Sequence, residues 1–324
     1  METTPGETGA GTDLRVRPLR TDDLAAVDTV RRLAFGTFLG LPDPLTFRGD
    51  ANPVRTRYLA DPAGSVAGDL GGEVVGTKFV VDSGSVGFFG PLSVRPDLWD
   101  RGIARRLVEA ALAEFDRRGT RHVGLFTFAH SPKHLALYQR YGFWPRFLTA
   151  IMGKPVRQPD IEVRWRAYAD VPSEEQPAYL EKCREVSDAV HPGLDLSREI
   201  RATADHGFGD IVLLPDGRDL VGFAVCHCGA DTEAGRGSCY VKFGAVRSGP
   251  DAEQWFLRLL AACEALAVSW GQQRLTAGVN TARREAYRRM QGLGFRTEVL
   301  GLAMDRPDEP GYNRPGVYLI DDWR

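Results

Sequence analysis

The sequence has few cysteines, no long apolar run and almost no net charge, and each shortage excludes a class of protein. Its five cysteines are an odd number without the spacing of a disulfide framework, so we expect reduced thiols and a cytoplasmic protein. No apolar run approaches the roughly 20 residues that a membrane-spanning helix needs, and the polar N-terminus lacks a signal-peptide core. The net charge of −2 gives no general attraction to nucleic acid or anionic membranes. We therefore expect neither a nucleic acid nor a membrane as a partner.

The most informative stretch of the sequence runs from Val94 to Arg106. An apolar strand is predicted before it, and an amphipathic helix with apolar residues on one stripe is predicted after it. Gly102 and Ala104 stand at the mouth of that helix, where small residues leave the backbone N–H groups accessible. The helix dipole and three neighbouring arginines add positive potential. The stretch is therefore typical of a site for a pyrophosphate, although a plain amphipathic helix with solvated arginines has the same pattern.

The following segment gives this stretch a family resemblance. A strand is predicted at residues 122–129, and a helix follows that begins near Ser131 and leads through Tyr138 to Gly142-Phe143. This order, ending in Tyr-x-x-x-Gly-Phe, resembles the GNAT superfamily of acyl-CoA-dependent N-acyltransferases. The sequence departs from the usual motif at Trp99, where Gln or Arg is common, and at Ser131, where Asn is common. The spacing of the motif is kept.

The resemblance implies a fold, a co-substrate and roles for particular residues. Tyr138 is expected to protonate the departing CoA thiolate as general acid, and the strand that ends at Val94 to align the pantetheine. Acetyl-CoA is the expected co-substrate, and no metal is expected. The residues expected to contact CoA are Leu92, Val94, Arg101, Gly102, Ile103, Ala104, Arg105, Arg106, Ser131 and Tyr138.

The second half of the chain repeats the first at an offset of 152 residues. Gly142-Phe143 matches Gly294-Phe295 at this offset, and Met152 matches Met304. We therefore predict an α/β (α+β) protein of two tandem GNAT-type domains, each with a mixed, mostly antiparallel central sheet flanked by helices. The predicted units are a disordered tail (1–12), a catalytic domain (13–153), a linker (154–162), a degenerate GNAT-like domain (163–306) and a C-terminal tail that packs on the body (307–324).

The repeat also shows what the second half has lost. At the same offset Gly102 corresponds to Gln254, Ala104 to Phe256, Arg101 to Glu253 and Tyr138 to Met290. Bulky and acidic side chains replace the bare backbone and positive charge that a phosphate needs, and methionine has no proton to donate. We therefore predict that the second half does not bind CoA.

A general base is harder to identify than the acid. The strand at residues 86–94 contains no carboxylate, where many GNAT enzymes have one. His130 is a candidate base because an imidazole titrates near neutral pH, although it could equally be a capping residue. His134 is better interpreted as a surface residue. Glu73 and Asp82 could act through water, or the acceptor could bind as the neutral amine without any base.

One further cluster could suggest a metal site. In Cys226-His227-Cys228 the alternation along a strand places both cysteines on one face and the histidine on the other. A tetrahedral site would need more ligands nearby, so we interpret the cysteines as core packing.

The predicted function is transfer of an acetyl (acyl) group from acetyl-CoA to an amine, by direct attack in the first domain. The expected acceptor is a small molecule whose identity has no sequence signature, and the oligomeric state has none either. An alternative from another class is a non-catalytic acyl-CoA-binding sensor or scaffold on the same fold. A third hypothesis is acylation of a hydroxyl group or of a protein lysine.

Overall fold

The computed structural model of the chain describes residues 14–159 and 163–324. The predicted tail at 1–12 and part of the predicted linker lie outside the described residues. In the first half, helices and strands follow one another in this order: β1 Leu14–Pro18, α1 Leu24–Phe38, α2 Pro53–Ala60, β2 Ser65–Leu70, β3 Glu73–Ser83, β4 Val86–Val94, α3 Ile103–Arg118, β5 His122–Thr127, α4 Pro132–Gln139 and β6 Trp144–Pro155.

The second half repeats this order, and its elements from residue 235 onward follow the 152-residue offset to within three residues. They are β7 Arg166–Ala167, α5 Gln176–Val190, α6 Ser197–Asp205, β8 Gly209–Asp216, β9 Asp219–Gly229, β10 Gly235–Val246, α7 Ala252–Ser269, β11 Arg274–Asn280, α8 Arg284–Gly292, β12 Arg296–Arg306 and the tail strand β13 Leu319–Ile320.

Helix α3 forms as its sequence predicts. Its buried residues Ile103, Leu107, Ala111 and Phe115 recur at helical spacing, so one stripe packs on the sheet and the other faces solvent. The helix ends at Gly119, whose left-handed backbone (φ 74°) caps the last turn.

The two halves share one sheet. Within the described residues it has 13 strands, in the order β1-β2-β3-β4-β5-β12-β6-β11-β10-β9-β8-β7, and β13 pairs with β10. From one end, the first five strands of the first half are followed by β12, the last strand of the second half. From the other end, the first five strands of the second half are followed by β6, the last strand of the first half. The sheet therefore has a pseudo-twofold arrangement around its two central strands, β6 and β12.

The last strand of each half completes the sheet of the other half. Strand β12 pairs with β5 of the first half, from Leu302 opposite Thr127 to Arg306 opposite Val123. Strand β6 pairs in turn with β11 of the second half along seven residues. The sequence predicts two halves that each contain a sheet, but it does not predict this exchange. The predicted domain boundary at residue 153 therefore lies within one continuous sheet.

The exchange carries core residues across the boundary. Met304 of β12 is fully buried among Leu125, Val108 and Phe143 of the first half. Met152 of β6 is fully buried in the core of the second half. Each half therefore depends on the other for part of its hydrophobic core.

Buried ion pairs also join the halves. Arg57 of α2 contacts Glu233 of the second half, with Nη2 2.8 Å from Oε2. Lys242 of β10 lies 2.8 Å from Glu233 and 2.7 Å from Glu199. The two carboxylates compensate for the burial of Lys242 and raise its pKa above the ordinary value, although burial alone would lower it.

No helix in the described ranges is long and apolar enough to cross a membrane.

The strand exchange generates a stability prediction. Met304→Ala removes a second-half side chain from the first-half core, and we expect the free energy of unfolding to fall by about 2–5 kcal/mol. Leu300→Ala on the same strand is the matched control, because Leu300 is 50% exposed, and it should change stability by no more than about 0.5 kcal/mol. Urea unfolding measures both. Equal small effects would show that β12 does not form part of the first-half core.

Candidate functional site

A gap opens in the first half where the parallel strands β4 and β5 diverge. They pair only from Val86 to Phe88, opposite His122 to Gly124. Beyond Phe88, strand β4 keeps its β3 partner but has no strand on the other side within the described residues. A cavity of about 650 Å³ lies there, and Leu92 and Val94 of β4 line it. Its wall therefore includes a strand edge with backbone groups that a ligand can bind.

The N-terminus of α3 forms a second part of the cavity wall. Gly102 has a left-handed backbone (φ 80°) just before the helix, and no side chain caps the first turn. The first intrahelical bond is from Arg106 N to Gly102 O, so the amides of Ile103, Ala104 and Arg105 have no partner within the helix. Together with the positive end of the helix dipole, these groups can bind an anion.

The three arginines of this region have different surroundings. Arg105 lines the cavity, and Arg101 is exposed nearby. The Arg106 guanidinium instead donates a 2.6 Å hydrogen bond to the carbonyl of Leu14 in β1. Arg106 can therefore contribute its backbone amide to the anion site, but its side chain serves the fold.

Two cations that the sequence analysis did not identify also line the cavity. Lys133 and Arg140 belong to α4 or its C-terminal end, and both contribute to the wall. The ammonium of Lys133 is 2.7 Å from the Asp100 carboxylate and 5.6 Å from the centre of the Trp99 ring. The pattern of α4 gave no signal for them, because polar residues on a short helix are normally solvent-exposed.

Trp99 has a structural partner on the strand edge. Its indole N–H donates a 2.8 Å hydrogen bond to the carbonyl of Val94. The indole thereby satisfies one acceptor at the end of the exposed β4 edge and fixes the loop before α3. This contact gives a physical reason why the motif position can hold tryptophan without losing the loop geometry.

Tyr138 lies just behind the cavity wall. It is 6% exposed and belongs to an aromatic cluster, with ring centroids 5.9 Å from Phe89 and 6.3 Å from Phe143. Its neighbour Leu137 lines the cavity, and Tyr138 itself does not. Burial raises the pKa of the phenol well above its ordinary value, so the hydroxyl holds its proton at neutral pH. Ser131, which caps α4 by accepting from His134 N, also lines the cavity.

The outer end of the cavity is aromatic. Helix α1 extends to Phe38. Phe38 consequently packs at 5.0 Å from Phe128 and 4.9 Å from His134, measured between ring centroids. We call Phe35, Phe38, Phe128 and His134, all of which line the cavity, the aromatic wall.

Of the two histidines weighed in the sequence, the structure brings only His134 into the cavity wall. The pKa of His134 is lowered, mainly by burial and then by the charge of Lys133. His130 is exposed and stacks on the outer side of Phe38, with ring centroids 5.8 Å apart. The preference for His130 over His134 therefore has no support in the cavity geometry.

The corresponding gap in the second half is filled by the chain itself. Strands β10 and β11 pair in parallel from Ser238 to Val241. Where they diverge, β13 pairs with Gly244 and Ala245 of β10, and the amide of Asp321 donates to the carbonyl of Gly278 in β11. The tail thus bonds to both strands at the place where the first half has its open edge.

The residues that replace the phosphate-loop residues hold this tail. The hydroxyl of Tyr318 donates a 2.8 Å hydrogen bond to Glu253, and its ring lies 5.5 Å from that of Phe256. Arg283 is buried and donates to the carbonyls of Leu319 and Asp321, at 2.7 and 2.6 Å. The substitutions seen in the sequence therefore have a structural role in the second half.

The cysteine cluster of the second half is part of the core. All five cysteines are free and buried. Cys226 and Cys228 face the hydrophobic core, and His227 faces the opposite side, 3.4 Å from Glu199. Over the part of the chain that the structure describes, no group of three or more His, Cys, Asp or Glu residues has the arrangement of a metal site.

Comparison with known proteins agrees with this geometry. Residues 34–143 match the model of the acetyltransferase (GNAT) family. A protein from Pyrococcus horikoshii, assigned provisionally as an acetyltransferase, superposes with a TM-score of 0.68 at 15% identity, covering 99% of each chain. A GCN5-related N-acetyltransferase from Sphaerobacter thermophilus gives 0.58 at 17% identity, covering 90% of this chain and 95% of the other.

A tandem GNAT protein from the clavulanic acid biosynthesis pathway gives a TM-score of 0.54 at 15% identity, covering 90% of this chain and 98% of the other. No curated protein sequence matches this chain significantly. At these identities the structural matches establish the fold. The predicted fold class, with two GNAT-type halves, is confirmed.

The anion site at α3 generates a binding prediction. Gly102→Glu places bulk and negative charge beside the unpaired amides, so we expect CoA affinity to fall by at least about tenfold, or roughly 1.4 kcal/mol. The matched control is Gly217→Glu, because Gly217 also has a positive φ (60°) and open space around its Cβ position, in the β8–β9 turn. Titration calorimetry measures the affinities, and thermal melting checks folding. Equal affinity in the two folded variants would contradict the assignment.

Proposed function

Because residues 34–143 match the model of the acetyltransferase (GNAT) family, we propose that the chain transfers an acetyl group from acetyl-CoA to the amine of a small-molecule acceptor. The observation that carries the proposal is the open edge of β4, which ends beside the uncapped N-terminus of α3. A strand edge and a helix N-terminus are what an extended ligand with amide groups and a pyrophosphate requires.

The residues present fit CoA. The backbone of Leu92 and Val94 would align the pantetheine, and the amides from Ile103 to Arg105 would bind the pyrophosphate. Arg101 and Arg105, with Lys133 and Arg140 across the cavity, supply the positive charge that the phosphates need. A Cβ at Gly102 would lie 3.3 Å from the Arg105 guanidinium. Glycine therefore leaves space for the phosphates beside that guanidinium.

Tyr138 is the general acid of this proposal. The thioester supplies an activated acyl group, and the phenol donates its proton to the sulfur as the C–S bond breaks. Burial raises the pKa of Tyr138, which favours the protonated phenol that this role requires. Leu92 and Leu137 line the cavity and pack against the core cluster that contains Tyr138. The proposal requires the Tyr138 hydroxyl to reach the sulfur beside them.

The acceptor is proposed to bind at the aromatic wall. Phe35, Phe38 and Phe128 suit the apolar body of a small organic amine. An amine that enters as an ammonium ion must first lose a proton, and His134 is suited to accept it because its lowered pKa keeps the imidazole neutral. The five free thiols agree with a cytoplasmic location.

The second half is proposed not to bind CoA. This proposal is supported by β13, which occupies the strand gap, and by Glu253 and Phe256, which hold the tail through Tyr318. Its role would be to complete the sheet with β12 and to cover the apolar surface of the first half.

A non-catalytic acyl-CoA sensor is the second candidate. It is favoured by the scarcity of carboxylates in the cavity: Asp100 is the one that lines it in the described chain, and Lys133 neutralises it. A sensor has no need for a proton donor beside the sulfur, however, so a test of Tyr138 separates the two candidates.

We expect Tyr138→Phe to lower turnover by about 10²–10⁴, because the ring and its packing remain and only the proton is lost. CoA affinity should not change. Tyr141→Phe is the matched control, since that hydroxyl is bonded to Glu109 at the surface and its loss should leave turnover unchanged. The measurement is thiol release from acetyl-CoA with a panel of amines. Wild-type turnover in Tyr138→Phe would make Tyr138 a packing residue.

A further inference from the structure

A buried lysine in the first half has no role in the fold that its surroundings explain. Lys78 of β3 is 1% exposed. Its ammonium nitrogen contacts the carbonyl of Phe89 at 3.4 Å and lies 3.7 Å from the centre of the Phe89 ring. No carboxylate in the described chain pairs with it, and the one charged group that acts on it is the cation Arg57. Burying an amine in this way costs stability.

A second buried lysine, Lys242, has a structural role that its contacts explain. Lys242 has two carboxylate partners, Glu199 and Glu233, within 2.8 Å. Its charge is therefore compensated. The burial of Lys78, followed by the repulsion from Arg57, has the opposite effect and lowers its pKa well below the ordinary value. Lys78 is thus an amine that can be neutral and able to accept a proton.

Lys78 lies beside the proposed acid. The Lys78 nitrogen is 5.9 Å from the centre of the Tyr138 ring. The side chains of Lys78 and Tyr138 both pack against the ring of Phe89. Phe89 is the first residue of β4 beyond its pairing with β5, so both groups lie at the point where the strand gap begins. In β3 the cross-strand partner of Lys78 is Leu92, which lines the cavity.

The second half provides an internal comparison. Leu92 corresponds to Gly244 at the 152-residue offset, and the cross-strand partner of Gly244 is Ala224. The position of Lys78 is therefore held by a fully buried alanine, and that of Tyr138 by the fully buried Met290. The fold accepts an apolar side chain at both positions. The lysine and the tyrosine are present together in the half with the open cavity and are absent together from the half that its own tail fills.

We propose that Lys78 is a proton-relay residue that acts through Tyr138 in acyl transfer. This inference rests on the proposed function. The acceptor nitrogen forms a bond to the acyl carbon, and the C–S bond breaks while Tyr138 gives its proton to the sulfur. The second proton of the acceptor nitrogen passes through water to Lys78. The resulting ammonium returns a proton through a second water molecule to the Tyr138 oxygen. One proton has then moved from nitrogen to sulfur, and both side chains regain their starting states.

The relay explains how the reaction can proceed without a carboxylate on β4. His134 would accept the first proton, from the entering ammonium ion, and release it to solvent. Lys78 and Tyr138 transfer only the second proton, which the nitrogen loses during acyl transfer. The charged or titratable groups that face Lys78 are Arg57 of α2 and Tyr138 of α4, and the α3 side chains in the same cluster are apolar.

The test uses Lys78→Met in the full chain, with Lys242→Met as matched control. Lys78→Met removes an uncompensated amine, so its melting temperature should rise. Lys242→Met removes the positive charge that two buried carboxylates share, so its melting temperature should fall. Turnover with acetyl-CoA and an amine panel should fall by at least about tenfold in Lys78→Met, and CoA affinity should stay the same.

Two further readouts separate a proton relay from a packing role. Lys78→Gln keeps a donor for the Phe89 carbonyl but cannot take up a proton at neutral pH, so its turnover should fall as well. In both variants turnover should keep rising with pH, because hydroxide must replace the relay, whereas in the wild type it should reach a plateau once Lys78 is neutral.

The ionisation of Lys78 can be followed without an acceptor. A lysine whose folded-state pKa is lowered destabilises the folded protein most at low pH, and this cost disappears as pH rises towards the unfolded value of about 10.4. The gap in melting temperature between Lys78→Met and the wild type should therefore narrow as pH increases.

Wild-type turnover in both Lys78 variants would overturn the relay, and so would a parallel loss of stability and turnover in Lys78→Met. A wild-type protein that binds CoA but acylates no amine would instead overturn the proposed function, and the relay with it. That outcome is recognised by the inactivity of the wild type rather than by any difference between variants.

Discussion

The backbone edge that opens where two parallel strands diverge is the constraint on which the rest of this structure depends. Amides and carbonyls on such an edge need hydrogen-bond partners. In the second half the tail strand β13 provides them, and Glu253 and Arg283 hold the tail in place. In the first half β4 keeps β3 on one side beyond Phe88, but no described strand lies on its other side, and a cavity forms there. One fold therefore has two equivalent edges, of which one is satisfied from within the chain and the other is accessible to a ligand.

The exchange of last strands gives the second half a structural role that does not depend on ligand binding. Strand β12 lies beside β5 and so forms one border of the first-half sheet, and Met304 fills the core behind it. Arg57 connects the same region to Glu233 and also donates to the carbonyl of Gly90 in β4. The second half therefore supports the strands that shape the cavity, and its sequence can change at the former site as long as this support remains.

Much of the fold could be predicted from the sequence because its signals are local. The apolar stripe and Gly119 define α3, and the 152-residue repeat predicts two similar halves. The strand exchange could not be predicted, because β6 and β12 come from equivalent repeats and either strand can complete either sheet. Lys78 was missed because a lysine within a strand is normally exposed, and only the packed structure reveals its burial. His134 packs against Phe38, which the last turn of α1 brings to the cavity, and this contact depends on the packed structure.

Hydrogen–deuterium exchange, measured with and without CoA, reports on both strand gaps in one protein. We expect slower exchange at residues 92–106 when CoA is bound, since the edge of β4 and the first amides of α3 would gain partners. Exchange at residues 244–258 and 317–322 should stay the same. Protection of residues 244–258, or faster exchange in the tail as CoA displaces β13, would contradict the claim that only the first half is open to the ligand.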